Sequence, residues 1–454
     1  MNTIEERLAA LGTAIPDIRL PGPGIDLSKW AVIACDQFTQ DRAYWEAVAK
    51  TVGDSPSSLN LIFPELYLGE NRREERIRAI HRSMAAYLGD GTLSEPFRGC
   101  VYVERSSPYR QCRRGLVLAI DLERYDWQGD SRPLIRSTEG TVPERLPPRM
   151  AIRRSAPLET PHILLLIDDD TDSLIPALGE GAKKGRRLYQ TPLMLGAGDI
   201  SGWALDNEAG WQALAEGLEG LARRSAARYG SPAGSAGEEP FLFAVGDGNH
   251  SLATAKAVWD EYKAARPDGA GLDSHPARYA LVEVENIYDS GIAFEPIHRV
   301  IFDFSLEEIR SALEELPGFS SRAADGPEEL SRLVASPGST NRYGLTGGGR
   351  HILVETAAAG IATEALQPLL DRVVVGAGQS GRGAIDYIHG KDELFRIAAG
   401  ASGERPAVGI LLPPVKKPGL FQTVAGSGPL PRKSFSMGEA EEKRFYLECR
   451  ELFR

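Results

Sequence analysis

The chain has 454 residues, 42% of them hydrophobic and 25% charged, and a formal net charge of -11. At about 150 residues per domain this length predicts two or three globular domains. The acidic excess argues against broad contact with nucleic acid or an anionic membrane, both of which need clustered cations.

The amino terminus is charged over residues 1–7 and has no apolar run, so no signal peptide is expected. No stretch reaches the ~20 apolar residues of a membrane helix, and the expected location is the cytoplasm. After a Pro/Gly loop at 21–24, residues 30–34 are a strand candidate ending at Cys35, Asp36 and Gln37. Residues 41–52 are helical, with Tyr44, Trp45, Val48 and Ala49 on one face. A short strand is expected at 59–63 and a helix at 73–87. Strands at 100–104 and 115–120 flank a polar turn at Ser107 and Pro108. An arginine-rich stretch covers 145–154, and a buried strand at 163–167 runs into Asp168, Asp169 and Asp170. A long amphipathic helix is predicted over 208–229 and a surface loop over 231–239. Strands follow at 241–245, 280–285 and 294–299. Beyond about residue 300 the pattern predicts helices at 305–316 and 327–335. A hairpin turns on Gly347, Gly348 and Gly349, and a last strand lies at 409–412. Strands mixed with helices and hairpins imply an α+β protein with a mixed sheet. The expected domains are 1–300, with an insertion at about 95–205, and a smaller α/β domain over 301–454. The four scattered cysteines form no Cys-x-x-Cys pair, so neither a zinc site nor a disulfide framework is expected.

The richest local chemistry lies at 241–259. A five-residue apolar run suits a strand covered on both faces. Gly246 and Gly248 permit positive φ and close approach of a ligand. Asn249 or Ser251 is placed to cap the following helix. A helix start offers free N–H groups and positive potential to a phosphate or carboxylate. Asp247, Asn249 and His250 add an anion, an amide and a titratable ring. The same grammar also describes a plain strand-to-helix turn. A formally better glycine motif, Gly376, Gly378 and Gly381, is read as a loop, because residues 384–389 alternate like a strand where a dinucleotide site needs a helix.

Other candidates are weaker. His298 and Arg299 follow a strand and are able to grip an anion. Arg149 and Arg153 share a face if their segment is helical, with Arg136 and Glu139 nearby and few acids to balance the arginines locally. Asp36, at a strand end, is a candidate proton acceptor or metal ligand, or the cap of the next helix. Asp168–Asp170 is a solvated acidic turn or a Mg²⁺ site. No Ser-His-Asp order stands out, since side chains as close as His250 and Ser251 diverge on a helix.

Residues 34–39 with Tyr44 and Trp45, 58–65, 246–251, 296–299, 411–414 and 431–434 together resemble the domain-of-unknown-function 1015 family. The resemblance runs in order along almost the whole chain. It implies a ParB/sulfiredoxin-like core, in a superfamily that includes free-serine kinases. The family's Asp-Gly-His-His-Arg turn falls on Asp247, Gly248, Asn249, His250 and Ser251, so this chain lacks the first His and the Arg. By that analogy the expected function is binding of a nucleotide (ATP or ADP), pyrophosphate or another phosphorylated metabolite. Phosphoryl transfer to a small-molecule hydroxyl is the expected reaction. Asp36 or His250 would be the base, Asp247 would hold Mg²⁺ or a ribose hydroxyl, and Arg299 with Asn249 would hold phosphate. A non-catalytic regulatory protein and a nucleotide hydrolase are the alternatives.

Overall fold

Two-sided burial explains the strands of the first half. In Cys100–Ser106 (β1) and Arg113–Asp121 (β2) almost every residue is buried, so alternation is absent and the strands must lie inside a covered sheet. A computed structural model describes residues 2–128, 131–230, 239–338, 340–358, 360–376, 383–400 and 406–453. Contacts divide it into two units, Met1–Ile292 with Gly438–Arg454, and Ala293–Met437. The sequence division at 300/301 had placed His298 and Arg299 with the first unit and 438–454 with the second.

The first unit carries a ten-stranded sheet. Its further strands are Tyr125–Asp126 (β3), Ile135–Ser137 (β4), Leu164–Ile167 (β5), Arg187–Pro192 (β6), Asp199–Leu205 (β7), Phe243–Asp247 (β8) and Tyr279–Asn286 (β9). Their order is β6-β7-β1-β2-β9-β5-β8-β4-β3, and Thr13–Ala14 pairs with β2. The sheet is mixed: β8 runs parallel to β4 and antiparallel to β5, while β9 runs parallel to β5. Seven strands of 95–205, expected as an insertion, lie within this same sheet, while Phe97–Arg98 and Leu158–Glu159 belong to separate two-stranded ladders. The unit's helices include Arg42–Val52 (α1), Arg73–Gly89 (α2), Leu146–Arg153 (α3), Leu174–Ala182 (α4), Glu208–Tyr229 (α5) and Asn249–Ala264 (α6). Its core includes Trp30, Trp45, Tyr102, Phe243 and Trp259.

The second unit carries Phe294–Phe302 (β10), Ser320–Ala323 (β11), Asn341–Gly347 (β12), Arg350–Thr356 (β13), Ala384–His389 (β14), Ala407–Leu411 (β15) and Phe435–Met437 (β16). The order is β11-β13-β12-β15-β10-β14, with β16 on β10. Each of these pairs is antiparallel. Gly348 and Gly349, at φ 58 and 73, make the two-residue turn between β12 and β13. Ile301, Leu345 and Ile410 pack on one face with Leu366 and Leu370, and Val300, Leu353 and Leu411 on the other with Leu330 and Leu394. Both units thus combine helices with sheets, and the protein is α+β. Among the described residues no helix is long and apolar enough to cross a membrane.

Two expected strands do not form. Leu27–Trp30 is a short helix capped by Asp26, and Ile33 makes a single bridge to Phe445. Ser58–Asn60 is a tight helical turn, its start held by the Ser57 hydroxyl. The glycine motif lies outside the described residues from 377 to 382. Val373–Val375, just before it, is helical, and the strand expected after it is β14. Residues 231–238 of the expected surface loop also lie outside the described set.

Candidate functional site

The turn between β8 and α6 is built by its glycines. Phe243, Ala244 and Val245 are fully buried. The pairing of β8 with β5 then slips between Val245 and Asp247, which leaves Gly246 as a bulge. Gly248 follows at φ 82, a left-handed conformation that other residues adopt at a cost. A Cβ on Gly248 would also come within 3.2 Å of the Ile163 Cα. Gly248 is itself the cap position of α6, so no side chain caps this helix. Asn249 and Ser251, expected as caps, are instead its first and third residues. The cap residue therefore offers the first-turn N–H groups of α6 no side-chain acceptor.

The loop following β4 lies against this turn because the two strands are parallel neighbours that end together. The Thr138 hydroxyl donates to Val245 O at 2.6 Å, and the Val142 N–H donates to His250 Nε2 at 3.3 Å. Glu139 is half-buried in the same loop. Two buried polar atoms here have no hydrogen-bond partner, Asn249 Oδ1 and Thr141 Oγ1. Asp247 Oδ1 accepts the Gly248 N–H at 3.0 Å, and its Oδ2 faces Lys443 Nζ at 3.3 Å. Lys443 is 6% exposed, so its ammonium is held inside the site.

Lys443 belongs to a carboxy-terminal segment anchored by buried charges. Arg444 Nη1 pairs with Glu283 Oε2 at 2.6 Å and its Nη2 pairs with Glu448. Arg113 Nε pairs with Glu285 at 2.7 Å, and Arg105 donates to the carbonyls of Glu441, Glu442 and Lys443. Burial works against the Glu283 charge, but Arg444, Arg113 and Arg105 outweigh it and hold that carboxyl below its usual range. Burial lifts the Glu285 carboxyl instead, and Glu283 and Asp289 add to the rise.

Ser251 looks elsewhere. Its Oγ lies 2.7 Å from His162 Nε2, and His162 Nδ1 lies 2.8 Å from the Tyr446 hydroxyl, which accepts the Cys35 N–H at 3.0 Å. These four residues line a cavity of about 140 Å³ with Leu61, Ile62, Phe63, Met84, Ile152 and Leu158 among its apolar walls. No sequence motif singles out His162, which is 89 positions from its serine.

The arginines expected to form an anion pocket are paired with acids. Arg149 forks onto Glu65 at 2.8 and 2.5 Å, Arg153 reaches Glu159 at 2.6 Å, and Arg154 forks onto Glu261. Arg149 and Arg153 still line the cavity. Arg136 donates to the carbonyls of Pro133 and Glu239 and lies 4.6 Å over the Phe241 ring. Asp36 accepts from the Gln37 amide at 3.0 Å, one residue from cavity-lining Cys35. His298 and Arg299 lie in β10 of the second unit. Arg299 is fully buried, donates to Gln367 at 3.0 Å and to Lys433 O at 2.9 Å, and stacks on Tyr387. Asp168 and Asp170 are bridged by Arg228, while Asp169 accepts the Ser173 and Leu174 N–H groups at the start of α4. With those carboxylates engaged and Asp247 against Lys443, the residues present do not fit a protein-held Mg²⁺. Among the described residues no group of three His, Cys, Asp or Glu is placed for a metal.

None of the curated proteins matches the chain. Among solved structures it is similar to a free serine kinase in complex with AMP, at 12% identity and TM-score 0.37, over 72% of this chain and 90% of that one. It is also similar to a conserved hypothetical protein from Pyrococcus furiosus, at 11% identity and TM-score 0.35, over 71% and 90% of the two chains. SbnI with a C-terminal truncation, from Staphylococcus aureus, matches at 11% identity and TM-score 0.33, over 71% and 82%. Likenesses at these scores do not establish a common fold or activity. Residues 17–373 match the family model described as "Protein of unknown function (DUF1015)", and the chain belongs to that family.

Proposed function

We propose that the β8–α6 turn binds a phosphorylated small molecule, a nucleotide such as ADP or ATP, on a ParB/sulfiredoxin-like core. Phosphoryl transfer to a small-molecule hydroxyl is the reaction that would use it. The observation that carries this reading is the uncapped start of α6 beside two buried polar atoms without partners, Asn249 Oδ1 and Thr141 Oγ1. Unsatisfied buried polar groups cost roughly 1–3 kcal/mol each, and a ligand that pairs them recovers that cost. The first-turn N–H groups and Lys443 supply positive potential for phosphate oxygens. Asn249 Oδ1 accepts a ligand hydroxyl, and the Thr141 hydroxyl meets a phosphate oxygen. His250, whose Nε2 accepts the Val142 N–H at 3.3 Å, is the proton acceptor at the turn, with Asp36 as the second candidate. Phosphoryl transfer asks mainly for positioning and charge neutralisation, which such a turn provides.

Calorimetry on the full chain with ADP, ATP and pyrophosphate tests the binding. Lys443→Met removes a charge-assisted contact of roughly 1.5–3 kcal/mol, so affinity is expected to fall about tenfold or more. Heat of binding for none of the three ligands, or equal affinity in Lys443→Met and Asn249→Ala, refutes the site. Binding without phosphorylated product from any amino-acid hydroxyl acceptor favours a non-catalytic regulatory protein on the same turn.

A further inference from the structure

We propose that Ser251 is a nucleophile for acyl transfer, with His162 as its base and the adjoining apolar cavity as the acyl pocket, acting on esters of short unbranched carboxylic acids. This proposal does not rest on the phosphate reading.

His162 is held between two hydroxyls: its Nδ1 lies 2.8 Å from the Tyr446 oxygen, which also accepts the Cys35 N–H, and its Nε2 lies 2.7 Å from Ser251 Oγ. In the proposed reaction the imidazole carries its proton on Nδ1 and donates it to the Tyr446 oxygen, which leaves Nε2 as the lone-pair nitrogen facing the serine proton. This is the arrangement of a nucleophile, a base and an orienting group, with a tyrosine as the third member. Ser251 caps nothing, and its hydroxyl bonds His162. Cys35 is not the nucleophile, because burial pushes its thiol up and keeps it protonated.

The cavity selects the substrate. An apolar protein cavity of about 150 Å³ accommodates a benzene-sized guest. The space beside Ser251, about 140 Å³, therefore fits an acyl chain of about four to six carbons. Ser251 also sits in the first turn of α6, within reach of the potential of its uncapped N–H groups, which favour a developing oxyanion.

The chemistry closes with water as co-reactant. Ser251 Oγ bonds the carbonyl carbon as its proton moves to His162 Nε2. The bond from that carbon to the leaving oxygen breaks, and the leaving alkoxide takes the proton from Nε2. Water then attacks the acyl carbon as one of its protons moves to Nε2; the bond from that carbon to Ser251 Oγ breaks, Oγ takes the proton from Nε2, and the carboxylic acid leaves.

The test uses the full chain with a fluorophosphonate probe, peptide mapping, and p-nitrophenyl esters of two to twelve carbons. Labelling of Ser251 is expected, with hydrolysis highest at four to six carbons. Ser251→Ala abolishes both, and His162→Asn lowers both by about 100-fold or more, as expected for loss of a general base. Wild-type protein that is folded by circular dichroism yet unlabelled at Ser251 overturns the proposal, and this needs no variant. Labelling at Cys35 instead, equal rates in His162→Asn, or a flat chain-length profile overturns it as well.

Discussion

His298 gives the second unit a calculable sensitivity to acid. The side chain is 4% exposed, and its Nδ1 accepts the Leu412 N–H at 3.1 Å. Burial, then the Arg299 charge and His389, lower its pKa from the usual 6.5 to about 4. Between these values the unfolded chain takes up a proton that the folded chain refuses. Stability is therefore complete above about pH 6.5 and falls as pH drops toward 4. The span is 6.5 minus 4, about 2.5 units, and at 1.36 kcal/mol per unit the loss is about 3 kcal/mol. His298→Asn keeps an acceptor near the Nδ1 position and cannot titrate. Amide exchange in β10 and β15 is the suitable assay, because two contact units need not melt as one. Wild-type protection is expected to fall by about 3 kcal/mol more than that of His298→Asn between pH 7 and pH 4. Equal acid losses in the two proteins would refute the reasoning.

Three further outcomes follow from the first unit. Arg444→Met leaves Glu283 and Glu448 buried without their cation and should cost about 3–5 kcal/mol, read from urea midpoints; an unchanged midpoint contradicts the network. Gly248→Ala forces a left-handed φ on alanine and a Cβ against Ile163, so a loss of about 1–2 kcal/mol with weaker nucleotide binding is expected by melting and calorimetry. Asp169→Ala removes the acceptor of two N–H groups at the start of α4 and should destabilise by about 1–2 kcal/mol. Millimolar Mg²⁺ should not shift the wild-type melting temperature through these aspartates, and a rise that Asp169→Ala abolishes would restore the metal reading.

Legibility in the sequence tracked how local the cause was. The helices over 41–52, 73–87, 208–229 and 327–335 form within a few residues of their expected ends, because apolar periodicity and caps such as Asp41 and Asn207 are local signals. Runs buried on both faces, such as 100–104 and 280–285, were equally readable as strands. The run at 30–34 was not, since its burial comes from packing beside Phe445 and not from a ladder. The hairpin of β6 and β7 went unread although Arg187–Pro192 alternates in exposure, because its polar outward residues break up the apolar pattern. The arginine stretch misled for the opposite reason. Glu65 and Glu261 lie 84 and 107 positions from Arg149 and Arg154, so local charge balance said nothing about pairing.

The same logic separates the two chemistries proposed at the start of α6. Each helical residue turns about 100°, so Asn249 and Ser251 leave the axis about 200° apart. Asn249 buries an oxygen without a partner, and Ser251 meets His162 and the apolar cavity. His250, between them, was the histidine that sequence order offered to Ser251, and the helix turns it toward Val142 instead. The resemblance placed Ser251 where relatives carry an arginine, which read as the loss of a phosphate grip. In the structure that position faces His162, where an arginine would meet the imidazole and the cavity wall. That substitution therefore alters the Ser251 side of the helix, while the other departure from the family turn, Asn249 for its first His, falls on the opposite side. Ser251→Ala should abolish acyl transfer while nucleotide affinity changes less than twofold, and Lys443→Met should do the reverse. A Ser251→Ala protein that loses nucleotide binding tenfold would show that the two faces are one site.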